Sequence, residues 1–380
     1  MKRLLLLVCF VTLGCGDDDA SEPDAATDGA IDPGDGATSD AGRPSLAALV
    51  EDVVRDTGVP SLAVAIVDSN GVVESAASGV RRLGDPTPVT LDDRYHLGSN
   101  TKAMTATLAA MLVDEDVVAW TTSLTEAFGD EITVDAGFAE VTLAELLSHT
   151  AGIDDAAVFA RVDELPDDVV AARRAGALAV VSSPPDGTRG SFAYSNVGYV
   201  IAGAILEKRT GASWESLMRT RLFTPLGMSS CGFGPPGTSG AVDEPWGHAH
   251  ETDAPRPVDP GADDADNPPL LGPAGTVHCA IADWAKFASM NLRGQRGSAD
   301  ELVSPSGFVE LATPRANDYA LGWLILDDPI TLAHDGSNTR FYSVAILVPS
   351  GDRGLLINTN VGGARAEAAL EAVIAWSTTP

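Results

Sequence analysis

The stretch GSNTKAMTATLAAMLV, residues Gly98 to Val113, places a serine at the start of an apolar segment and a lysine three residues after it. A serine in this position is commonly an N-cap, which accepts hydrogen bonds from the free amide groups of the first helical turn. Residues three apart also lie on one face of a helix, so Lys102 can stand beside the Ser99 hydroxyl. The stretch therefore predicts a helix in which Ser99 is a cap, a nucleophile with its own base, or both.

The setting of Lys102 favours a chemical role. The chain has four lysines, and Lys102 alone has a serine three residues before it. The segment that follows is too apolar for an exposed helix, so the amine would be partly desolvated, which lowers the pKa of a lysine towards that of a useful base. The partial positive charge at a helix N-terminus would also favour an alkoxide on Ser99.

Composition limits the classes of function. The chain has 380 residues, of which 44% are hydrophobic and 21% charged, enough for one large core or two lobes. Its formal net charge of -30 argues against electrostatic binding to nucleic acid or anionic lipid, so no nucleic-acid partner is expected. The sequence has no strand–GxxxxGK[ST]–helix phosphate loop, which argues against a nucleotide enzyme.

The N-terminus, MKRLLLLVCFVTLGC, has two basic residues and an apolar run too short to span a bilayer, as in an export signal. The ending TLGC resembles a bacterial lipobox, which implies that residues 1–14 are a signal peptide and that the thiol of Cys15 carries lipid. An ordinary signal peptide with a chance cysteine is the alternative. With lipidation, the protein would be anchored in the cell envelope, at the outer membrane.

Residues 15–44 are expected to form a tether. Between Gly16 and Gly42 there are nine acidic residues, no basic ones and no apolar periodicity, so the segment cannot bury enough surface to become ordered. Cys231 and Cys279 remain in the folded part, in a compartment that permits disulfides. They could pair or stay as two buried thiols, because sequence alone does not supply their distance.

The predicted elements from residue 45 to 380 describe a sheet interrupted by helices. A helix is predicted over 45–56 and a hairpin around Asn70-Gly71. Residues from 101 to about 289 are mainly helical, and the end of the chain has four strand-like runs, turns at 327–328 and 350–351, and a helix over 364–376. This order suggests a mainly antiparallel sheet (45–98 and 290–380) with an inserted helical lobe (99–289).

Two further motifs carry chemically useful groups. Tyr194-Ser195-Asn196 precedes an apolar helix, and a phenol near a serine and a lysine can relay a proton while an amide orients a substrate carbonyl. The segment 334–337, His-Asp-Gly-Ser, ends a predicted strand, where backbone amide groups could form one arm of an oxyanion hole, with the Ser99 amide as the other. Each motif alone is equally typical of a helix start or a strand end.

Taken together and in this order, the motifs resemble those of the serine β-lactamase and penicillin-binding-protein superfamily, in particular the class C β-lactamase-related serine hydrolases. The resemblance runs from about residue 45 to 376 and includes four further segments: TLAELLSHTAGI (142–153), FTPLGMSSCGF (223–233), GPAGTVHCAIADWAKF (272–287) and YALGW (319–323). It implies an α+β fold, an antiparallel five-stranded sheet flanked by helices with an inserted, mainly helical lobe.

The resemblance also implies roles for individual residues. Ser99 would be the acylated nucleophile, Lys102 its general base and Tyr194 the proton shuttle. Substrate binding and the oxyanion pocket would use the residues Asn196, His334, Gly336 and Ser337. Acyl transfer through a serine ester needs neither metal nor cofactor, so none is expected.

The third motif departs from the family pattern. Drug-cleaving relatives have a lysine where this chain has His334, so a permanent cation is replaced by a mostly neutral imidazole with the Asp335 carboxylate beside it. Both changes weaken attraction for an anionic β-lactam or a D-Ala-D-Ala terminus. Arg340 could restore a positive charge or be a surface arginine. A small-molecule or peptide substrate and an esterase or peptidase activity are therefore favoured, with a class C-like β-lactamase or D,D-peptidase as the alternative.

Two other classes of protein fit the sequence less well. An α/β-hydrolase requires a G-x-S-x-G elbow, which the sequence lacks. A non-catalytic envelope binding module is a further alternative, disfavoured because Ser99, Lys102, Tyr194 and Asn196 are all present. The pair His248 and His250 is interpreted as an exposed loop and not as metal ligands, and His149 as a structural residue bonded within the turn that ends its helix.

Overall fold

The computed structural model describes residues 44–156, 164–250, 254–326 and 330–378. The predicted signal peptide, Cys15, nearly all of the tether and the turn predicted at 327–328 lie outside the described residues. In chain order, the strands are β1 Ser61–Asp68, β2 Gly71–Gly79, β3 Arg94–His96, β4 Gly232–Phe233, β5 His248–Ala249, β6 Arg256–Pro257, β7 Val277–Ala280, β8 Leu324–Leu326, β9 Thr331–Ser337, β10 Tyr342–Val348 and β11 Arg353–Thr359.

The main sheet is antiparallel, with the strand order β2-β1-β11-β10-β9-β8. The predicted hairpin is confirmed, since β1 and β2 pair from Asp68 opposite Gly71 to Ser61 opposite Gly79. Strand β1 also pairs with β11, with Leu62 opposite Thr359. Strands from near the two ends of the folded chain, β1 and β11, are thus neighbours in the sheet, and the predicted insertion lies in the chain between β2 and β8.

The sheet has six strands where five were expected. The additional edge strand, β8, has three residues and pairs with β9. It is shorter than the strand-like run YALGWLIL because Gly322 has a φ of 77° and lies against helix 101–114, where a Cβ would come within 2.7 Å of the Ala103 Cα. This close approach turns the chain before the strand begins.

In chain order, the helices are α1 Leu46–Thr57, α2 Thr101–Asp114, α3 Leu124–Phe128, α4 Leu143–Leu147, α5 Val169–Val181, α6 Asn196–Thr210, α7 Trp214–Leu217, α8 Thr224–Leu226, α9 Gly272–Gly275, α10 Ile281–Gln295, α11 Pro305–Leu311 and α12 Gly363–Thr378. A wider turn over Met218–Phe223 joins α7 to α8, and 3₁₀ turns lie at Gly98–Asn100, Pro269–Leu271 and Pro349–Gly351. Among the described residues, no helix has the length and apolarity that a bilayer span needs.

Two apolar layers cover the sheet. Alternate residues of β1 point to opposite faces: Leu62 and Val64 pack with α1 and α12, whereas Ala63 and Ala65 belong to the larger cluster that includes α2, α6 and α10. The predicted first helix is confirmed as α1, which Ser45 caps by accepting a hydrogen bond from the Ala48 amide (3.3 Å). Helix α10 packs on the sheet and runs through residue 289, so the predicted lobe boundary falls inside one continuous helix.

A small second sheet supports the segment that leads into α2. Its strand order is β3-β7-β4, and the Leu97 amide donates to the Val277 carbonyl oxygen (2.8 Å). Cys231 and Cys279 form a disulfide beside this sheet, which decides between the two alternatives that the sequence left open.

Candidate active site

Ser99 lies in the 3₁₀ turn between β3 and α2. Its Oγ is 3.0 Å from the Lys102 Nζ and 2.8 Å from the hydroxyl oxygen of Tyr194. The residue at the N-cap of α2 is Asn100, which makes no side-chain capping bond. The N-cap prediction for Ser99 is therefore wrong, because the preceding turn points its hydroxyl at the lysine and the tyrosine instead of at the helix amides.

Lys102 is fully buried and has three polar neighbours. Besides Ser99, its Nζ lies 2.8 Å from the Asn196 Oδ1 and 2.9 Å from the Ala274 carbonyl oxygen. Burial lowers the pKa of Lys102 from 10.5 to about 7, against a smaller opposing effect of the Asp155 and Asp335 carboxylates. In the neutral amine the two N–H groups can donate to the amide and carbonyl oxygens, which leaves the lone pair to accept the proton of Ser99.

Tyr194 completes the group around the Ser99 hydroxyl. The residue is 39% exposed, but its hydroxyl is directed inward to Ser99 and the ring centroid lies 4.7 Å from the Lys102 Nζ. The enclosed hydroxyl has a pKa well above its usual value, mainly because of desolvation, with an opposing effect of the hydrogen bond to Ser99. Tyr194 therefore stays protonated at neutral pH and donates its hydrogen bond to Ser99.

Two residues from the segment after α4 hold the Tyr194–Asn196 motif. The His149 Nδ1 accepts a hydrogen bond from the Ser195 amide (3.0 Å), and its ring lies 4.3 Å from that of Tyr194. Asp155 accepts from the Asn196 amide (2.7 Å) and from the Ser195 hydroxyl (2.6 Å), at the start of α6 where a carboxylate is favourable. The predicted structural role of His149 within the turn that ends its helix is therefore wrong in one respect: its imidazole bonds to the tyrosine motif instead.

The end of β9 crosses the backbone of Ser99 at very short range. A Cβ on Gly336 would lie 2.1 Å from the Leu97 carbonyl oxygen and 2.6 Å from the Ser99 amide nitrogen. Gly98 has a φ of 50°, and a Cβ there would lie 2.3 Å from the Ser337 amide nitrogen. Only glycine fits at both positions, and the contact brings the Ser99 and Ser337 amides, the two predicted oxyanion donors, onto adjoining segments.

His334 faces the same side of the sheet as this site. It is buried, with its Nε2 2.9 Å from the Tyr319 hydroxyl oxygen and its Nδ1 bonded to the Asp335 carbonyl oxygen. Burial, and secondarily the charge of Lys102, lower the pKa of His334 to about 3, so the imidazole is neutral at pH 7. The predicted carboxylate beside it is not there: Asp335 points to the opposite face, where its Oδ2 accepts a hydrogen bond from Tyr342 (2.8 Å).

Other predicted side chains lie away from the reacting groups. Arg340 is 8% exposed and its Nη2 lies 2.8 Å from the Asp264 Oδ2, so it is neither a surface residue nor an unpaired charge. His248 is buried, in contrast to the prediction of an exposed loop, and contacts the Leu83 amide and the Asn360 carbonyl oxygen. The described part of the chain holds no cluster of three or more potential metal ligands.

The sequence of the chain is similar to those of known proteins. The family profile described as Beta-lactamase matches residues 46–377. The chain is 31% identical to "Penicillin-binding protein 4" of Amycolatopsis lactamdurans over 80% of this chain and 81% of that protein. It is 26% identical to "Unguisins hydrolase ungD'" of Aspergillus campestris, over 82% of this chain but only 61% of that protein.

Solved structures confirm the predicted fold class. A class C β-lactamase from Rhodobacter sphaeroides superposes with a TM-score of 0.68 at 21% identity, over 88% of this chain and 99% of that chain. A D-stereospecific amidohydrolase from a Streptomyces species gives 0.65 at 24% identity, over 87% of this chain and 98% of that chain. The match to the family profile and the 31% identity to the penicillin-binding protein show that the chain belongs to the beta-lactamase family of serine hydrolases.

Proposed function

We propose that the protein is a serine hydrolase that works through an acyl-enzyme on Ser99. The observation that carries the proposal is the 3.0 Å separation between the Ser99 Oγ and the buried Lys102 Nζ, whose pKa is about 7. A general base is most effective when its pKa is near the working pH. An unperturbed lysine would be charged at neutral pH and could not serve as the base.

In the first half-reaction, the Lys102 amine takes the proton of Ser99 as the Oγ attacks the carbonyl carbon of the substrate. The negative charge that develops on the carbonyl oxygen is stabilised by the Ser99 and Ser337 amides. As the tetrahedral intermediate collapses, the Tyr194 hydroxyl gives its proton to the leaving oxygen or nitrogen and recovers one that Lys102 had received. Water then repeats the sequence on the ester, with Asn196 orienting the acyl group, and releases the acid and free Ser99.

The substrate is proposed to be an ester or amide without a required carboxylate, so an esterase or peptidase is favoured. The neutral His334 supplies no positive charge for a substrate carboxylate, and Arg340 forms an ion pair with Asp264. Similar proteins support hydrolysis: one relative is by name a hydrolase of unguisins, and a similar structure is that of an amidohydrolase, which supports an amide substrate. The relative named as a penicillin-binding protein favours the second candidate, a D,D-peptidase or β-lactamase.

The proposed site of action is the cell envelope. It rests on the N-terminal sequence alone, in which an apolar run ends at Cys15 and an acidic stretch follows. Lipid on the Cys15 thiol would anchor the catalytic domain at the outer membrane, separated from it by the tether.

The test is intact-mass spectrometry of the purified protein after incubation with a fluorophosphonate and, separately, with benzylpenicillin. Ser99→Ala removes the proposed nucleophile, and Ser289→Ala is the matched control, because Ser289 is a buried serine in α10 that bonds to the Asp68 carbonyl oxygen. We expect a phosphonate adduct on the wild type and the control variant and none on Ser99→Ala. A long-lived penicillin adduct would favour a peptidase, and rapid loss of the drug a β-lactamase. No adduct from either reagent would favour the non-catalytic module.

A further inference from the structure

The carboxylate of Asp266 lies between two segments that border the oxyanion pocket. Its oxygens are 2.9 and 3.1 Å from the His96 Nε2, and one of them accepts a hydrogen bond from the Asn338 Nδ2 (2.9 Å). The side chains of His96 and Asp266 are 0% and 7% exposed, and Asn338 is buried. Asp266 belongs to the long segment between β6 and β7, 170 residues from His96 in sequence.

The first of these contacts leads to the Ser99 turn. The Gly98 amide donates a hydrogen bond to the His96 Nδ1 (3.1 Å), so this ring nitrogen must carry the lone pair. The proton of the neutral imidazole is then on Nε2, where it is donated to Asp266. The carboxylate thereby selects the tautomer of His96 that can hold the backbone directly before Ser99.

The second contact leads to the end of β9. The Asn338 Oδ1 accepts hydrogen bonds from the amides of Arg340 (3.1 Å) and Phe341 (2.9 Å), which fixes the turn that follows Ser337. Asp266 holds the other end of the same side-chain amide. The Asp266 carboxylate is thus linked by hydrogen bonds to both of the backbone segments that meet where Gly98 contacts Gly336.

We infer that Asp266 is a positioning residue that sets the relative placement of the Ser99 and Ser337 amides in the oxyanion pocket. The inference rests on the proposed function, because it requires that these amides stabilise a tetrahedral intermediate. An oxyanion hole depends on donors held in place before the reaction, since they then cost no reorganisation in the transition state. Asp266 holds the two donor amides in place from outside the pocket, through the His96 imidazole and the Asn338 side-chain amide.

The replacement Asp266→Asn separates this role from simple packing, because it keeps the shape of the side chain. The carboxylate accepts from the His96 Nε2 at Oδ2 and from the Asn338 Nδ2 and the Asn267 amide at Oδ1, whereas an amide at position 266 has a single acceptor oxygen. If its NH₂ faces His96, the imidazole proton moves to Nδ1. Two donors, the Nδ1–H and the Gly98 N–H, then face each other and the hydrogen bond between them is lost. If it faces Asn338, two NH₂ groups oppose each other, so either orientation releases one side of the pocket.

The experiment compares the wild type with Asp266→Asn and with Asp259→Asn. Asp259 lies in the same segment but bonds to Ser239, Gly240 and Gly261, away from the site, and serves as the control. Three quantities are measured: kcat/KM for p-nitrophenyl butyrate, the inhibition constant of phenylboronic acid, which forms a tetrahedral adduct with a catalytic serine, and the thermal unfolding midpoint. The His96 tautomer is read from imidazole ¹⁵N shifts, assigned with His96→Gln.

For Asp266→Asn we expect kcat/KM to fall about 10- to 100-fold, since a misplacement of about 1 Å can cost 10²-fold. The affinity for phenylboronic acid should fall in parallel, and the control should keep wild-type values. Unchanged kcat/KM and boronate affinity in a folded Asp266→Asn variant would overturn the inference. So would a wild-type His96 protonated on Nδ1, a result that does not require Asp266→Asn to fold. Absence of Ser99-dependent turnover in the wild type would instead refute the proposed function.

Discussion

The ionisation of Lys102 should set the pH dependence of acylation. The amine is fully buried, and desolvation lowers its pKa from 10.5 to about 7. Protonated Lys102 has no lone pair for the Ser99 proton, so the rate should follow the neutral fraction. The rate is expected to rise about tenfold per pH unit below pH 7 and to level off above it.

The size of the effect follows from the two pKa values. At pH 7 about half of the Lys102 amines are neutral, whereas a lysine with the unperturbed value of 10.5 would be neutral in only about one molecule in 3,000. Tyr194 and His334 should add no inflection between pH 5.5 and 8.5, because desolvation drives their pKa values above and below this range, respectively. Burial raises the pKa of Asp335 to about 6, but this carboxyl bonds to Tyr342 on the opposite face of the sheet and does not contact Ser99. One main ascending limb, that of Lys102, is therefore expected.

The assay is the second-order rate of Ser99 phosphonylation by a fluorophosphonate from pH 5.5 to 8.5 at constant ionic strength. Lys102→Arg retains a cation but cannot lose its proton, so labelling should drop by at least 10²-fold at every pH. Lys286→Arg, on an exposed lysine that contacts Asp283 and the Gly227 carbonyl oxygen, is the matched control and should behave as the wild type. A flat wild-type profile, or a Lys102→Arg variant that labels normally, would refute the assignment of Lys102 as the base.

Four further predictions concern the surroundings of the site. Tyr194→Phe should lower kcat for an unactivated amide about 10²- to 10⁴-fold but leave an activated ester less affected, because only a poor leaving group needs the proton of the Tyr194 hydroxyl. Equal losses of kcat on both substrates would contradict this role. His149→Phe leaves a buried backbone amide unsatisfied, at a cost of about 1–3 kcal/mol, and should lower both kcat and the free energy of unfolding in urea. His334→Lys should increase the rate of labelling by benzylpenicillin about tenfold through attraction of its carboxylate, while a decrease would show that the neutral imidazole is not what disfavours β-lactams. Reduction of the Cys231–Cys279 disulfide, which spans 48 residues, should lower the free energy of unfolding by about 4 kcal/mol on the chain-entropy model, and unchanged urea unfolding with dithiothreitol would exclude such a contribution.

The reacting groups could be predicted from the sequence because their motifs are local. Ser99 and Lys102 are three residues apart on a segment too apolar for an exposed helix, and Tyr194 and Asn196 directly precede another such segment. The continuous apolar run of β1 likewise predicts a strand with two covered faces. The alternation of side chains along a strand would have placed Asp335 on the opposite face from His334, a consequence that the motif-based interpretation overlooked.

The residues that hold the site could not be predicted in this way. Asp155 bonds to the Ser195 hydroxyl across 40 residues of sequence, and Asp266 bonds to His96 across 170. Neither carboxylate differs, in its local sequence, from the many other acidic residues of a chain with 54 of them. Contacts of this length depend on how the long connections fold back, and nothing within a few residues of either position specifies that path.

The sequence by itself determined the apolar helices, the first hairpin and the order of the three chemical motifs, because each depends on spacing within one short segment. The tertiary structure alone decided the chemistry of Lys102. Its burial and its neighbours come from α2, from Asn196 at the start of α6 and from Ala274 in α9, segments that meet only in the folded protein. Desolvation by these distant parts of the chain is the physical reason that the pKa of the amine is lowered to about 7.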